Sequence, residues 1–403
     1  MRKRLKKVAI FTGNRAEFGL QLPILREIKK HKLLSYQLIV SGAHLDSNFG
    51  KTLKEIRKKG YKIDKKVKVK MDAKSLDSNV LAIGSGVISI SRALKNLKPD
   101  IFIVYADRFE GLSAVIASTQ MNIPTAHIEG GDITEGGALD DSVRHAMTKL
   151  SHLHFTTNHK ATKAILSMGE ERWRVHTVGF PAIDLIKDRN YAKSKEIEDR
   201  FKINLSKPTI IFTQHSVTTE FNKSKLQIKK SISALIYFAK IGYNIIITFP
   251  NNDAGGADIV KEYEILSKRK IENIQIHKSI GQYFYHGILS LSKTNKYKVC
   301  CVGNSSSGIK ETPVFGCPTV NIGSRQNGRL RGQNVIDTNY NKKEIINAVN
   351  KCFSNKNFLN KCKFTDNPYY LGNAGKKIAN VISKIEINDK LLKKKHIFKI
   401  NEN

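Results

Sequence analysis

The amino-acid sequence predicts an α/β protein made of two doubly wound parallel-sheet domains in series. Short apolar runs alternate with helix-length stretches through the first half, the composition turns polar past residue 185, and the alternation restarts at Thr209. Strands that alternate with helical segments read as βαβ units, and so as parallel sheet. The 403 residues leave room for two or three domains at roughly 150 residues each.

In chain order, residues 8–12 (VAIFT), 36–41 (YQLIVS), 101–105 (IFIVY) and 125–128 (TAHI) are brief apolar runs of the kind that form buried parallel strands. Between them, 19–30, 51–59, 79–97 and 111–121 have helical length and spacing. The charged stretch 188–206 reads as a linker or a surface helix. A second set of strands follows at 209–213, 244–249, 299–302 and 319–322, with helices over 224–241, 256–267 and 310–315. The expected division is a first domain over 1–187, a linker over 188–206, a second domain over 207–370, a helix within 371–390 and a solvated basic tail over 391–403. Ligands of open parallel sheets bind beyond the carboxyl ends of the strands. The cleft between two such domains is therefore where an active site is expected.

Hydrophobic residues make up 40% of the chain and charged ones 26%, enough for sizeable cores and without a signature of disorder. Lys and Arg number 69 against 35 Asp and Glu, a net charge of +34. Such a surplus raises nucleic acid, anionic membrane or acidic ligands as partners. The basic residues, however, run along the whole chain without an aromatic-and-basic stripe, and the Lys/Asn/Ile-rich stretches match AT-rich coding drift. No nucleic-acid partner is expected. No apolar run approaches the ~18 residues that span a bilayer, so no membrane partner is expected either. The basic start at 2–7 precedes too short an apolar run for a signal sequence. Cys300, Cys301, Cys317, Cys352 and Cys362 lack C-x-x-C spacing and partnering histidines. They form neither a disulfide framework nor a zinc site and suit a reducing cytoplasm.

Four clusters stand at the ends of expected strands. In Thr12-Gly13-Asn14-Arg15-Ala16-Glu17 a glycine turn presents Arg15 to an anion; a surface arginine at a turn reads equally well. Asp107-Arg108 follows the strand at 101–105, as reactive groups or as an ion pair holding the strand end. The stretch 127–145 is densest in chemistry, with His127, Glu129, Asp132, Glu135, Asp140, Asp141, Arg144 and His145 among four glycines. Crowded carboxylates push their pKa values apart and yield an acid and a base, although Asp140 or Asp141 could also cap a helix. The histidine and acid spacing fits no familiar metal set. The fourth cluster runs from Cys301 to Glu311. Its Ser305 and Ser306 form an anion cradle or an ordinary helix cap, and Glu311 is placed to accept from a ribose diol. Arg325, His215 and Asn251 each follow an expected strand. Together these residues point to a nucleotide diphosphate held by the second domain, with carboxylate chemistry in the first.

The motifs GNRAE at 13–17, Asp107-Arg108, HIEGGD at 127–132, DDSVRHAMTKLSHLHF at 140–155, FPN at 249–251, GNSSSGIKE at 303–311 and NIGSRQNGRLRG at 321–332 resemble, in this order, the UDP-N-acetylglucosamine 2-epimerase family. The resemblance runs from about Val8 to the NPYYLGNAG segment at 367–375. Non-hydrolysing members carry a TRPE-type first motif and an HRRE-type motif after the first strand of the second domain. Here those positions read Asn14-Arg15-Ala16-Glu17 and Gln214-His215-Ser216-Val217, which points to the hydrolysing branch.

The resemblance implies two Rossmann-like domains of GT-B type facing a central cleft, a last helix crossing back to the first domain, and a homo-oligomer, dimer or tetramer. It implies conversion of UDP-N-acetylglucosamine to N-acetylmannosamine and UDP for sialic-acid-type sugar synthesis. The route is anti elimination of UDP to a 2-acetamidoglycal, then hydration, with neither metal nor nicotinamide cofactor. UDP-2,4-diacetamido-2,4,6-trideoxyglucose, on the legionaminic acid route, is the alternative substrate. A non-hydrolysing epimerase and a GT-B glycosyltransferase are the alternative activities. By residue, Ser305 and Ser306 are expected on the diphosphate, Arg15 and Arg325 balance its charge, Arg108 and Asn251 contact substrate, and Glu311 binds the ribose. Asp107, Glu129 and one of Asp140 or Asp141 share acid and base work. His215 serves the leaving phosphate as donor or proton carrier.

Overall fold

The computed structural model describes residues 4–45, 53–69, 76–134, 139–251 and 253–397. The chain divides into two compact units, one from Met1–Ile133, Asp140–Asp184 and Tyr369–Asn403, the other from Thr134–Leu139 and Leu185–Pro368.

The first domain holds strands β1 (Lys6–Thr12), β2 (Leu34–Ser41), β3 (Lys65–Val67), β4 (Ile101–Tyr105), β5 (Thr125–Ile128), β6 (Leu153–Thr156) and β7 (Val175–Thr177). All pair in parallel, in the order β3-β2-β1-β4-β5-β6-β7. Its helices are α1 (Arg15–Lys30), α2 (Leu53–Lys58), α3 (Leu76–Leu97), α4 (Phe109–Gln120), α5 (Leu139–Leu150), α6 (His159–Ser167) and α7 (Ala182–Lys187). Val8, Ala9, Ile10 and Phe11 are all fully buried, because helices cover both faces of a parallel sheet and alternation gives way to an unbroken apolar run. The order of strands reverses between β1 and β4. That makes their carboxyl ends the switch point where such sheets bind ligands.

Two expectations change here. Helix α1 starts at Arg15 rather than at residue 19, because the Asn14 side chain accepts from the Glu17 amide at 2.9 Å and caps it. In α3, the window Val80–Leu97 is long and apolar enough to cross a membrane by length and composition, with 28% of it buried. Interspersed Ser and Gly residues disguise that run in the sequence. The helix lies against α4, where Gly86 comes so close to Ser113 that a Cβ would collide.

The second domain repeats the plan. Strands β8 (Thr209–Thr213), β9 (Asn244–Thr248), β10 (Ile274–His277), β11 (Val299–Gly303), β12 (Thr319–Ile322) and β13 (Val335–Thr338) pair in parallel in the order β10-β9-β8-β11-β12-β13. Helices α8 (Ser194–Phe201), α9 (Ser224–Lys240), α10 (Gly256–Lys268), α11 (Gly281–Ser290), α12 (Ser307–Lys310), α13 (Lys342–Ser354) and α14 (Lys356–Lys363) surround it. Period-two geometry is explicit in the cores. Ile210, Phe212, Ile245, Ile247, Cys300 and Val302 point into one cluster, while Ile211, Ile246, Val299 and Cys301 point into the other. Each such side chain contributes about 1.5–3 kcal/mol by burial. The switch point lies between β8 and β11.

The charged segment before β8 is more than a linker: Ile197 and Phe201 of α8, with Leu205, are at most 2% exposed and belong to the second core. Their i, i+4 spacing is hidden among charges that face water.

From Tyr369 the chain rejoins the first domain as α15 (Ala374–Lys384) and α16 (Asp389–Leu392). The first of these lies on α1, and the Gly375 amide donates to Asp184 at 2.9 Å. The expected solvated tail is instead fastened down as far as Ile397. Leu391 is 1% exposed, buried Arg174 donates to the carbonyls of Leu391 and Lys390 at 2.8 Å, and Lys394 bonds Glu170 at 3.0 Å. A basic segment docks here because a buried carboxylate and a row of carbonyls receive it. Residues 398–403 lie outside the described residues.

Candidate active site

Each domain gathers the predicted residues at its own switch point, and each half is built differently. In the first domain the carboxyl ends of β4 and β5 bend sharply. Ala106 (φ 56°) and Glu129 (φ 66°) adopt left-handed backbone, uncommon outside glycine. Such strain persists only where the surroundings enforce it, and it clusters at functional sites. Here the Ala106 amide donates to Ile128 O and the Glu129 amide to Phe155 O, both at 2.9 Å. His127 adds a third tie, because its Nε2 lies 2.7 Å from the Ala106 carbonyl, which can only accept. The proton therefore sits on Nε2, and Nδ1 accepts from Thr148 Oγ1 at 3.0 Å. Burial lowers the His127 pKa to about 3, so the ring stays neutral. Gly131 (φ 73°) is required where a Cβ would collide with the Ala161 carbonyl.

These turns bring Asp107 to Arg144. The Arg144 guanidinium is 1% exposed; it pairs with Asp107, donates to Asp141 Oδ1 at 2.8 Å and donates to the Asp132 carbonyl at 2.7 Å. The sequence reading weighed an Asp107–Arg108 ion pair and helix capping by Asp140 or Asp141. The structure corrects both. Asp107 pairs with Arg144, and Arg108 turns to buried Glu110 at 3.3 Å. Helix α5 starts at Leu139, so Asp140 and Asp141 lie inside its first turn, where a negative charge favours the helix dipole. Asp141 is buried on its arginine, whereas Asp140 is half-buried. Glu129 is 5% exposed.

Across β1 from these groups, Glu17 is buried and accepts from the Gly13 amide at 2.8 Å. Burial, with the carboxyl of Glu110 nearby, pushes Glu17 up to about 8 against that hydrogen bond. Arg15 opens α1, but its side chain and Glu135 lie outside the described residues. The sequence reading missed Arg144 as the hub and Glu17 and Glu110 as buried acids. The Asp141-x-x-Arg144 spacing was the available signal for the first.

In the second domain, His215 after β8, Asn251 after β9, Ser305 and Ser306 after β11 and Arg325 after β12 follow the carboxyl ends of four adjacent strands. The centre of the arrangement is Asn304, fully buried, which stands in the GNSSSGIKE motif but was given no role there. Its side chain clamps the His215 backbone, accepting from the amide at 2.7 Å and donating to the carbonyl at 2.9 Å. Its own carbonyl accepts from Gln326 at 2.8 Å and from Arg325 at 3.3 Å. Gly303 makes this approach possible, because at its φ of 132° a Cβ would run into the Thr213 carbonyl.

The Asn251 amide donates to His215 Nδ1 at 3.0 Å, so the neutral ring carries its proton on Nε2. Burial, helped by the Arg325 charge, lowers the His215 pKa to about 3. This histidine is therefore a fixed neutral donor. Asp253 takes a bond from Asn251 and stands 4.0 Å from Arg325. Glu311 is oriented by His286 Nε2 at 2.6 Å, and Ser305 Oγ lies 3.0 Å from Ser307 Oγ. Hydroxyls, a neutral imidazole donor and a guanidinium are what a diphosphate needs. Carboxylates around a buried arginine are what proton transfer at carbon needs.

The family model described as UDP-N-acetylglucosamine 2-epimerase matches residues 26–383. Among curated relatives, the GDP/UDP-N,N'-diacetylbacillosamine 2-epimerase (hydrolyzing) of Campylobacter jejuni is 34% identical over 83% of this chain and 85% of its own length. The UDP-N-acetylglucosamine 2-epimerase of Neisseria meningitidis is 32% identical over 87% of this chain and 88% of its own. Among solved structures, the UDP-GlcNAc 2-epimerase from Neisseria meningitidis bound to UDP-GlcNAc shares the fold with a TM-score of 0.79, at 20% identity, over 94% of this chain and all of that one. The protein belongs to the UDP-N-acetylglucosamine 2-epimerase family, alongside relatives named as hydrolysing enzymes.

Proposed function

We propose that the protein is a hydrolysing UDP-sugar 2-epimerase that converts UDP-N-acetylglucosamine to free N-acetylmannosamine and UDP. The observation that carries the reading is the Asp107–Arg144–Asp141 network about a buried arginine, with Asp107 and Glu129 following adjacent strands, in a chain of this family. In the first stage a carboxylate takes the C-2 proton, the C-1 to oxygen bond breaks, and UDP leaves with its electron pair, giving the 2-acetamidoglycal. In the second stage a carboxyl group returns a proton to C-2 on the opposite face, water adds its hydroxyl at C-1, and the proton it gives up passes to a carboxylate. The C-2 proton is weakly acidic, so charge on the departing diphosphate must be met as it develops. His215 Nε2–H, Ser305, Ser306 and Arg325 take that role, with Arg15, Arg108 and Asn251 as further substrate contacts and Glu311 on the ribose. Asp107, Glu129 and one of Asp140 or Asp141 share the proton work, with Arg144 fixing the positions of Asp107 and Asp141.

The Campylobacter relative favours a second reading of the sugar, in which the substrate carries acetamides at C-2 and C-4 and a methyl at C-5. The chemistry is unchanged; the pocket facing C-4 and C-6 decides. Sites that hydrogen-bond a substrate hydroxyl reject its deoxy analogue strongly, so kcat/KM on the two sugar nucleotides distinguishes the readings. All five cysteines are buried, as suits work in the reducing cytoplasm.

The test is incubation with UDP-N-acetylglucosamine alone in deuterated water. UDP release, with one deuterium at C-2 of a free 2-epimer, is expected. Epimer still attached to UDP, or no turnover without an acceptor sugar, would overturn the hydrolytic assignment.

A further inference from the structure

Helix α11 sends two consecutive side chains to α12, and neither belongs to any motif of the sequence. Tyr285 Oη lies 2.8 Å from Ser307 Oγ, which in turn lies 3.0 Å from Ser305 Oγ. One residue on, His286 Nε2 lies 2.6 Å from Glu311 Oε2, with His286 only 2% and Glu311 only 7% exposed. Ser307 and Glu311 are four residues apart, joined by the bond from the Glu311 amide to Ser307 O at 2.9 Å. They therefore present one face, and α11 packs against it.

Hydrogen-bond polarity gives the His286 contact its direction. A carboxylate oxygen only accepts, so His286 donates and fixes Oε2, which leaves Oε1 as the oxygen to accept from a ligand. Burial, with Cys301 and Glu311 nearby, raises the Tyr285 phenol well above its ordinary value, so it keeps its proton. Tyr285 Oη also lies 3.6 Å from Cys301 Sγ, and each hydroxyl contact allows either direction; in the one where Tyr285 donates to Ser307 and Ser307 to Ser305, the Ser305 proton goes to an acceptor outside the chain.

We propose that Tyr285 and His286 are the positioning residues of the nucleotide subsite, Tyr285 aiming the Ser307–Ser305 hydroxyl relay at a diphosphate and His286 holding Glu311 for a ribose diol. The inference rests on the reading of the second domain as the UDP-binding one. It separates the subsite into two independently tuned parts, each with its own ligand signature.

Calorimetric titration of the full chain with UDP, 2',3'-dideoxy-UDP, uridine and inorganic pyrophosphate tests it. His286→Phe should weaken UDP about tenfold, the scale of a lost charge-assisted hydrogen bond, and leave dideoxy-UDP unchanged; His286→Gln, which keeps a donor, should restore most of the loss. Tyr285→Phe should weaken UDP and pyrophosphate by about fivefold and leave uridine unchanged. Variants that bind every probe as the native protein does, or that lose all of them alike, overturn the proposal. Should a variant misfold, the native protein still decides the ribose part: equal affinity for UDP and dideoxy-UDP overturns it. A native protein that binds no UDP overturns the functional reading as well, whereas native UDP binding with a flat variant pattern overturns this inference alone.

Discussion

At the first switch point Asp107 and Asp141 converge on an arginine that is 1% exposed, beside two strained residues. At the second, Asn304 and Asn251 hold His215 through neutral hydrogen bonds. The strand order around the two is the same. One topology thus carries two electrostatic designs, a charged centre suited to moving protons and a donor-rich one suited to holding an anion. The difference teaches that the sheet supplies only the position, and that the loops at the strand ends decide the chemistry.

The sharpest way to break this contrast is Arg144→Leu. Removing the hub leaves two carboxylates facing each other with no cation, and should cost about 3–5 kcal/mol of stability in urea unfolding. A loss below about 1 kcal/mol would show that the network is not held together by its charges. Asp107→Asn and Glu129→Gln should each lower kcat by roughly 10²-fold while UDP affinity changes little; near-normal turnover in both would remove them from the mechanism. Arg325→Met should do the reverse, weakening UDP about tenfold with a shallower salt dependence and a smaller effect on kcat. Equal effects of the first-domain and second-domain variants on both quantities would erase the division of labour.

The last effect concerns pH. His215 and His127 fall to about 3 in the fold and His44 to about 4, from 6.5. Below pH 6.5 the unfolded chain therefore takes up protons that the folded chain refuses. The stability these rings give is complete above 6.5 and drains away towards pH 3–4. Thermal unfolding between pH 7 and 4.5 should show the midpoint falling, with a shallower slope in His215→Gln. Because His215 stays neutral throughout, the rate profile should carry no inflection near 6.5 from this residue.

Much of the fold was legible because its central strands are continuous apolar runs. Strand β6 (LHFT) was not, although all four residues are buried, because His154 breaks the pattern and is tolerated only through its 3.0 Å bond to Glu170. The edge strands β3 and β13 carry polar residues that no local rule separates from loop. At the sites, the candidate residues stand in clusters after strands, and that placement was readable. Arg144, Asn304, Tyr285 and His286 act on other side chains, so the information that selects them is three-dimensional. Arg108 shows the same limit: its partner is Glu110, two residues on, rather than the adjacent Asp107.

The first domain is closed by the last part of the chain, α15 lying on α1 where Gly375 approaches Pro23 too closely for any side chain. On the ribosome this sets an order of completion. Residues 185–368 of the second domain are all synthesised before Tyr369 is added, and domains fold as units while synthesis continues. The first domain has its whole sheet early but must wait, with one flank of α1 uncovered, for α15. A chain truncated before α15 should keep its second domain whole and present the unfinished first to chaperones and proteases.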